Sequence, residues 1–415
     1  MMVPKLRFAG FCDKWNSSTL SDAGVQIIDG DRGSNYPSSG DFRPMGFCLF
    51  LNAGNVTRDG FRFDNVMFIT EEKDSELRKG KLQRRDIVLT TRGTIGNTAI
   101  YNNQVSFEHI RINSGMVLVR TKQTLTPDFL YLYFSSGYFS SWLNKVAFGS
   151  AQPQLTVKII NALSVYFPGK NEQIKIADFL SSVDEKITLL SKQHDLLCQY
   201  KKGMMQKIFS QEVRFKDENG KDFPEWKQKK IREITSLIKD GTHGTHNNVT
   251  ESDFFLLSAK NIQEGKVAID KNDRKISEIE FRSIFKNYDL EPGDILLSVV
   301  GTIGRVAIYS EQYSNYAFQR SVAFFRFPQE IPEFIYQLFN ATKFQKELLI
   351  RQVISAQPGI YLGDLADISL EIPVQKEQMK IANFLSALDD KIAVTKAELD
   401  MLKTWKQGLL QQMFV

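Results

Sequence analysis

The chain has 415 residues, of which 42% are hydrophobic and 24% charged, with a formal net charge of +5. That is material for two or three domains with real cores, and the mildly basic balance permits a polyanionic partner without demanding one. No run of eighteen apolar residues occurs, so no hydropathy-defined membrane span is expected.

In chain order, the opening MMVPKLRFAGF has no apolar signal core, which argues against secretion. Cys12, Cys48 and Cys198 are far apart and odd in number, against a disulfide framework; a reducing cytoplasm is expected. DGDRGSNYPSSGDFRP, from residue 29, reads as a polar loop, and NAGNVTRDG at 52–60 as a small-polar turn. DIVLTT, GMVLVR and ALSVYF are β-branched or aromatic runs of strand length. Between them PDFLYLYFSSGYFSSWLNKV has helical spacing behind a proline.

From PGKNEQIKIADFLSSVDEKI onward a long helix is expected over 171–210. Val183, Ile187, Leu190, His194, Leu197, Lys201, Met204 and Ile208 alternate steps of four and three, the seam of a coiled coil.

The same order then recurs. DGTHGTHNN starts at 240, SAKNIQEG at 258, DILLSVVGTIGRVAIY at 294, SVAFFRF at 321, PEFIYQLFNATKFQKELLI at 332 and DISLEI at 367. PVQKEQMKIANFLSALDDKI at 373–392 matches 168–187 in twelve of twenty positions, and the GTIG windows from Asp86 and Asp294 agree in ten of sixteen. SAQP occurs at 150–153 and 355–358. A second seam follows: Leu388, Ile392, Thr395, Leu399, Leu402, Lys406, Leu409 and Met413. Offsets between copies drift from 211 through 208 to 205, as small loop deletions inside a duplicated unit produce.

The expected division is therefore 1–170, a mixed α+β domain; 171–210, a helix; 211–375, a second such domain; and 376–415, a second helix. The seams are equivalent, so intramolecular pairing is favoured over each helix packing on its own globular part. At 1.5 Å per residue, 38 residues make a rod of roughly 57 Å. His194, Lys201, Thr395 and Lys406 are polar seam positions suited to fixing register, although His194 reads equally well as a half-exposed helix residue.

No G-x-x-x-x-G-K-[ST] loop and no G-x-G-x-x-G after a strand is present. N-P-P-Y and D-P-P-Y, which a base-amino methyltransferase needs, are absent too. His243 and His246 form H-x-x-H, but no further ligands are placed around them, and the first copy has Arg32 and Asn35 instead. No metal site and no catalytic residue is nominated.

Scaffold segments repeat nearly verbatim while the loops differ. Asp31, Arg32, Asn35 and Tyr36 stand against Thr242, His243, Thr245, His246 and Asn247. Arg58 and Lys260 lie in the small-polar turns, and Arg92 and Asn97 flank the first GTIG where Val300 and Arg305 flank the second. The GTIG glycines read as a tight turn. The variable flanks are mostly donors suited to base edges and phosphates, which nominates these residues as a DNA interface. One scaffold with two loop sets implies one docking mode and two targets.

These residues carry a resemblance. DGTHGTH…SAKNI, DILLSVVGTIGRVAIY, SAQP and KEQMKIANFLSALDDKI, with their first-half counterparts and KKGMMQKIF, resemble the specificity subunit of type I restriction–modification systems over essentially the whole chain. DGDRG departs from the more usual DGTHG type, which leaves base contacts of the first domain open. The resemblance implies an α+β fold: two homologous target-recognition domains separated by two long helices that form an antiparallel coiled coil, with pseudo-twofold symmetry. It implies a non-catalytic subunit that reads each half of a bipartite asymmetric site in double-stranded DNA, with the helices setting the gap. Two modification subunits would bring S-adenosylmethionine and adenine-N6 methylation, and two restriction subunits ATP and Mg. The rival readings are a stand-alone two-domain DNA-binding protein, a scaffold between two proteins, and a nuclease or methyltransferase with unseen motifs.

Overall fold

The computed structural model describes residues 3–147, 154–353 and 358–414. The two SAQP repeats therefore lie outside the described residues, Pro358 excepted. The chain forms two compact units, one from residues 1–191 with 397–415 and one from 192–396. The long helices run Lys170–Phe209 and Gln375–Met413, within one or two residues of the expected bounds. The compact units nonetheless divide inside both helices, so each globular part keeps a stretch of each rod.

The first unit is built on a four-stranded antiparallel sheet in the order Gln26–Asp29, Met116–Arg120, Ile87–Thr90, Thr98–Ile100. All four residues of Ile87–Thr90 are buried because the sheet has a core on either face. Ile87, Leu89, Val117 and Val119 point to one core, shared with the helices Pro127–Phe134 and Gly137–Ala147. Val88, Ala99, Met116 and Leu118 point to the other, beneath a smaller sheet of Phe68–Ile69, Cys48–Leu51 and Ile110–Ile112. Two-sided burial explains continuous apolar strands where a half-exposed sheet would alternate.

The second unit repeats this plan: Leu237–Asp240, Val322–Arg326, Ile295–Ser298, Val306–Ile308 in the same order. Ile295, Leu297, Ala323 and Phe325 face one core, and Leu296, Val322 and Phe324 the other. In each unit the strand leading into the small-polar turn runs parallel to a later one, Leu49 opposite Ile110 and Phe255 opposite Tyr316.

One expectation needs refining. Each Pro-led helical segment is two helices. Ser136 ends the first pair member and its hydroxyl accepts from Phe139 N–H at 3.4 Å, starting the next. The second copy breaks at Ala341, between Pro332–Asn340 and Thr342–Ile350.

The helical seams behave as their spacing predicts. Val183, Leu388, Leu399 and Leu409 are buried, and Ile187, Leu190, Leu197, Met204, Ile392 and Leu402 are half-buried. In the second unit Lys201 Nζ meets Asp389 at 2.6 Å, while Ile208 and Phe209 share a core with Ile381, Ala382 and Leu385, so partners descend as positions rise: the helix segments are antiparallel. Beyond the helix end, Phe215 packs edge-on against Phe384 and Arg214 Nη2 reaches Glu377 at 2.8 Å. In the first unit Lys406 pairs with Asp184 at 2.5 Å, and Leu6 and Arg7 bridge Gln412 to Glu172. Both rival packings are realised: the seams pair, and the rod ends also enter the globular cores. Ile176, Ala177 and Leu180 join Leu409, Leu410 and Met413 in one core, and Ile381, Ala382 and Leu385 join Ile208 and Phe209 in the other.

Each rod is tied to its domain by a buried acid. Glu172 accepts two hydrogen bonds from Arg7, at 2.8 and 2.6 Å. Glu377 accepts from Arg214 at 3.2 and 2.8 Å and from Trp226 Nε1 at 3.2 Å. Removing one partner of a buried pair strands the other charge. Glu377→Ala should therefore cost about 3 kcal/mol in urea unfolding, whereas Glu371→Ala, which breaks the exposed pair with Lys343, should cost at most about 1 kcal/mol. Equal losses in the two variants would contradict this account.

Candidate nucleic-acid interface

The variable loops converge at one end of each unit's small sheet, and glycine makes the convergence possible. Gly30 crosses the chain at Asn113: a Cβ there would sit 2.3 Å from Asn113 O. Gly241 crosses Phe318 and Gln319 in the same way, at 2.1 and 2.4 Å. Nothing larger fits, so the DG of both loops is a backbone crossing. The GTIG turn lies alongside, with Gly93 and Gly96 at φ +71° and +89°, and Gly301 and Gly304 at +78° and +92°. These positive angles confirm the tight-turn reading of those glycines. Thr91 N–H donates to Gly115 O at 2.8 Å, and Val299 N–H to Ser321 O at 2.9 Å, which fixes the turn against the crossing.

The small-polar turns fold alike. Asn55 Oδ1 accepts from Asn52 N–H at 2.9 Å, and its amide group donates to Arg62 O and Asn65 O. Asn261 Oδ1 accepts from Ser258 N–H at 3.0 Å and its amide donates to Ala268 O and Asp273. These buried asparagines are scaffold.

Several nominated side chains are engaged by partners within their own unit. Asp31 is 8% exposed, and its carboxylate accepts from the backbone amides of Gly33 at 2.8 Å, Arg78 at 2.7 Å and Lys79 at 3.3 Å. These amides hold its carboxyl pKa below the usual value, the Gly33 bond contributing most. Tyr36 packs edge-on against Phe50, and its hydroxyl accepts from Ser114 N–H. Asn97 donates to Val56 O at 2.9 Å, tying the GTIG hairpin to the small-polar turn. Thr242 and His246 meet at 2.7 Å, and the other ring nitrogen of His246 meets Glu280 at 2.8 Å. Glu280 also accepts from Asn247 N–H at 3.2 Å, so this loop is stapled to the helix Glu278–Phe285.

The remaining nominees stay outward. Arg32 is exposed beside Asp29 and Ser114 O, and Asn35 is exposed with a 3.4 Å contact to Glu76 O. Arg58 and Arg92 are exposed, as are Thr245 and Asn247. His243 is exposed against Asp240 at 2.8 Å. Lys260 pairs with Asp273 at 2.5 Å while leaving its side chain 61% exposed, and Arg305 projects past Lys260 O and Ile262 O. The two histidines face different partners, and among the described residues no group of three or more His, Cys, Asp or Glu side chains gathers around a metal-sized space.

Sequence reasoning missed further exposed cations at the same end. Arg320 occupies the position equivalent to Ser114, where its N–H donates to Thr242 O at 3.0 Å. Arg78 and Lys79 sit in the turn that Asp31 grips. No motif marks them; only the long-range fold brings them to the loop.

The model of the type I restriction modification DNA specificity domain matches residues 13–198 and 223–404. The type I restriction enzyme MjaVIII specificity subunit of Methanocaldococcus jannaschii is 26% identical over 312 residues, 72% of each chain. The MjaIX specificity subunit of the same organism is 22% identical over 376 residues, 83% of this chain and 80% of that one. Among solved structures, a type I restriction–modification S subunit from M. genitalium superposes with a TM-score of 0.61 at 16% identity, covering 100% of this chain and 99% of that one. Among the described residues no helix is long and apolar enough to cross a membrane.

The Asp31 clamp has a pH signature. Folding lowers its carboxyl pKa, so its stabilisation is complete above the unfolded value of about 4 and is lost as pH falls through the lower folded value. Hydrogen exchange of peptides spanning 29–36 and 77–80 should accelerate, relative to the rest of the unit, as pH drops below about 4. Asp31→Asn should show fast exchange in those peptides at neutral pH. Unchanged protection in that variant would refute the clamp.

Proposed function

The chain belongs to the family of type I restriction–modification DNA specificity domains, and from that premise we propose that its two units each read one half of a bipartite, asymmetric site in double-stranded DNA. The observation that carries the proposal is the contrast between buried ties and exposed loops. Asp86 holds Arg120 at 2.8 and 2.6 Å as Asp294 holds Arg326 at 2.9 and 2.8 Å. Gln173 and Gln378 brace the helix starts alike, each accepting from the backbone just before its Pro-led helix, at Thr126 and Ile331. Over that matching frame the loop residues differ: Arg32 against His243, Arg92 against Val300, Ser114 against Arg320. A repeated frame with unlike donors suits one way of docking on DNA and two different base sequences.

In this reading the chain does no chemistry, and the rods set the half-site gap. A stiff link gives two weak readers a high effective concentration only at a matched span. Each bidentate base contact contributes about 1–3 kcal/mol, so neither half suffices alone. The rods also supply a docking surface for two modification subunits, which would carry S-adenosylmethionine and methylate adenine N6; two restriction subunits would carry ATP and Mg. The feature that supports docking is a stripe of exposed apolar side chains, Leu189, Leu196 and Tyr200 on the first helix and their equivalents Val394, Met401 and Trp405 on the second. Exposed apolar patches of this kind mark partner surfaces.

Two outcomes follow. Inserting four residues, about one helical turn, near Leu190 or Thr395 should change the gap in the methylated site and leave both half-sequences intact. Methylome sequencing of the variant strain reads this, and altered half-sequences with an unaltered gap would end the spacer proposal. Exchanging residues 17–150 for the matching segment of another family member should change one half-sequence only; a change in both would show that the units do not read independently.

A further inference from the structure

Building on the DNA reading above, we propose that Arg32, Arg78, Lys79 and Arg92 of the first unit form a phosphate track, which seats the duplex without reading its bases. Two of the four, Arg78 and Lys79, have no counterpart in any motif, and their placement depends on the Asp31 clamp. Its carboxylate grips the Arg78 and Lys79 amides and the Gly33 amide together, so the loop at 31–33 and the turn at 77–80 form one surface. Gly80 closes that surface from below: at φ +82°, its Cβ position would fall 3.3 Å from Gly30 Cα. Arg78 lies over Gly33, with Nη2 3.1 Å from where a Cβ would be. Arg32 reaches across to Ser114 O at 3.3 Å, and Arg92 abuts the adjacent Gly115 through its backbone N–H, 3.2 Å from Gly115 O. The four cations thus follow one another around the rim of the crossing.

The anions nearby offset Arg32 and Arg78 only in part. Asp31 is buried and engaged by amides. Asp29 pairs with Arg32 alone, at 3.1 Å, and Glu76 pairs with Lys73 at 3.1 Å. Arg92 meets only the neutral amide of Gln154, at 2.9 Å with the amide oxygen turned to the guanidinium. Among the described residues the side chains of Arg78 and Lys79 have no hydrogen-bond or ion-pair partner. Cations set around one rim can meet successive phosphates of a duplex, as they could no single small anion. A pinned backbone also favours positioning over readout, because contacts to phosphate fix register whatever the bases. The second unit carries Val300 and Arg320 at the places of Arg92 and Ser114, so its own cation emerges from the neighbouring segment.

The test uses the full chain and a mixed-sequence duplex of about 30 base pairs, comparable to a bipartite site, titrated at about 50 to 200 mM salt. Arg78→Ser with Lys79→Ser should flatten the slope of log affinity against log salt by about 1.8, two contacts at 0.9 each. The charge-preserving variant Arg78→Lys with Lys79→Arg should keep the wild-type slope. In complex with modification subunits, the Ser variant should methylate the wild-type sequence and no other. A wild-type slope in a Ser variant that melts like the parent overturns the track, and so does a changed methylation sequence, which would make these residues readers. A parent chain with no salt-dependent binding removes the DNA reading itself, and the track with it.

Discussion

The structure depends first on a carboxylate buried where each long helix begins. Glu172 and Glu377 are 2% and 0% exposed, each gripped by an arginine from the segment leading into its own domain. A charge so deeply placed is tolerable only with a partner held in good geometry. The arginine is held in turn because the next residue packs on the same helix: Phe8 lies edge-on to Phe179, and Phe215 to Phe384. The helix start, the leading segment and the domain core thus become one rigid junction in each unit. Any role of the rods in setting distance requires such a junction, since a hinge there would free the domain from the rod.

Rigidity beneath also permits variety above. Strand burial on both faces, the Asp–Arg ties below the GTIG hairpins and the glycine crossings all recur, so the loop ends emerge at matching places. Each loop is then locked by a different device. The first unit places its acid in the loop, Asp31, and grips a turn; the second places it on a helix, Glu280, and grips the loop through His246. The frame requires only that some buried or half-buried acid fix the loop, and either solution meets that requirement. The outward side chains can then change without disturbing the core.

Much of this was legible in the sequence. Strands, helical seams and the duplication are periodic or repeated, and local patterns of two, three and four residues survive folding because they arise from it. The helix starts and the GTIG turns fell where spacing put them. The inward turn of Asp31, Tyr36, Asn97, Thr242 and His246 was not legible, because a polar residue in a loop has the same type whether it serves a ligand or a distant backbone amide. Arg78 and Lys79 were invisible for the converse reason: forty-odd residues separate them from the loop they join. The repeated Arg-Phe pair ahead of Trp15 and Trp226 was a signal available in the sequence, and the buried Glu-Gln that opens each helix was its complement.

The polar seam positions show how a rod holds its register. Lys406 meets Asp184 in the first unit and Lys201 meets Asp389 in the second, where Asp389 also accepts from Gln337 at 2.7 Å. The aspartates are 41% and 37% exposed, so solvent screens these pairs and their net stabilisation is small. Their effect lies in the alternatives. Sliding one helix by a heptad keeps apolar seam residues opposite apolar ones, and a purely apolar seam would resist that slip weakly. With lysine in the seam, the slip carries an ammonium away from its carboxylate: a seven-residue shift one way sets Lys201 opposite residue 396, beside Leu399, and Lys406 opposite residue 191, beside Leu190. The penalty falls on the wrong register and leaves the right one nearly untouched, which is how two weak ion pairs fix a register that the apolar contacts leave open.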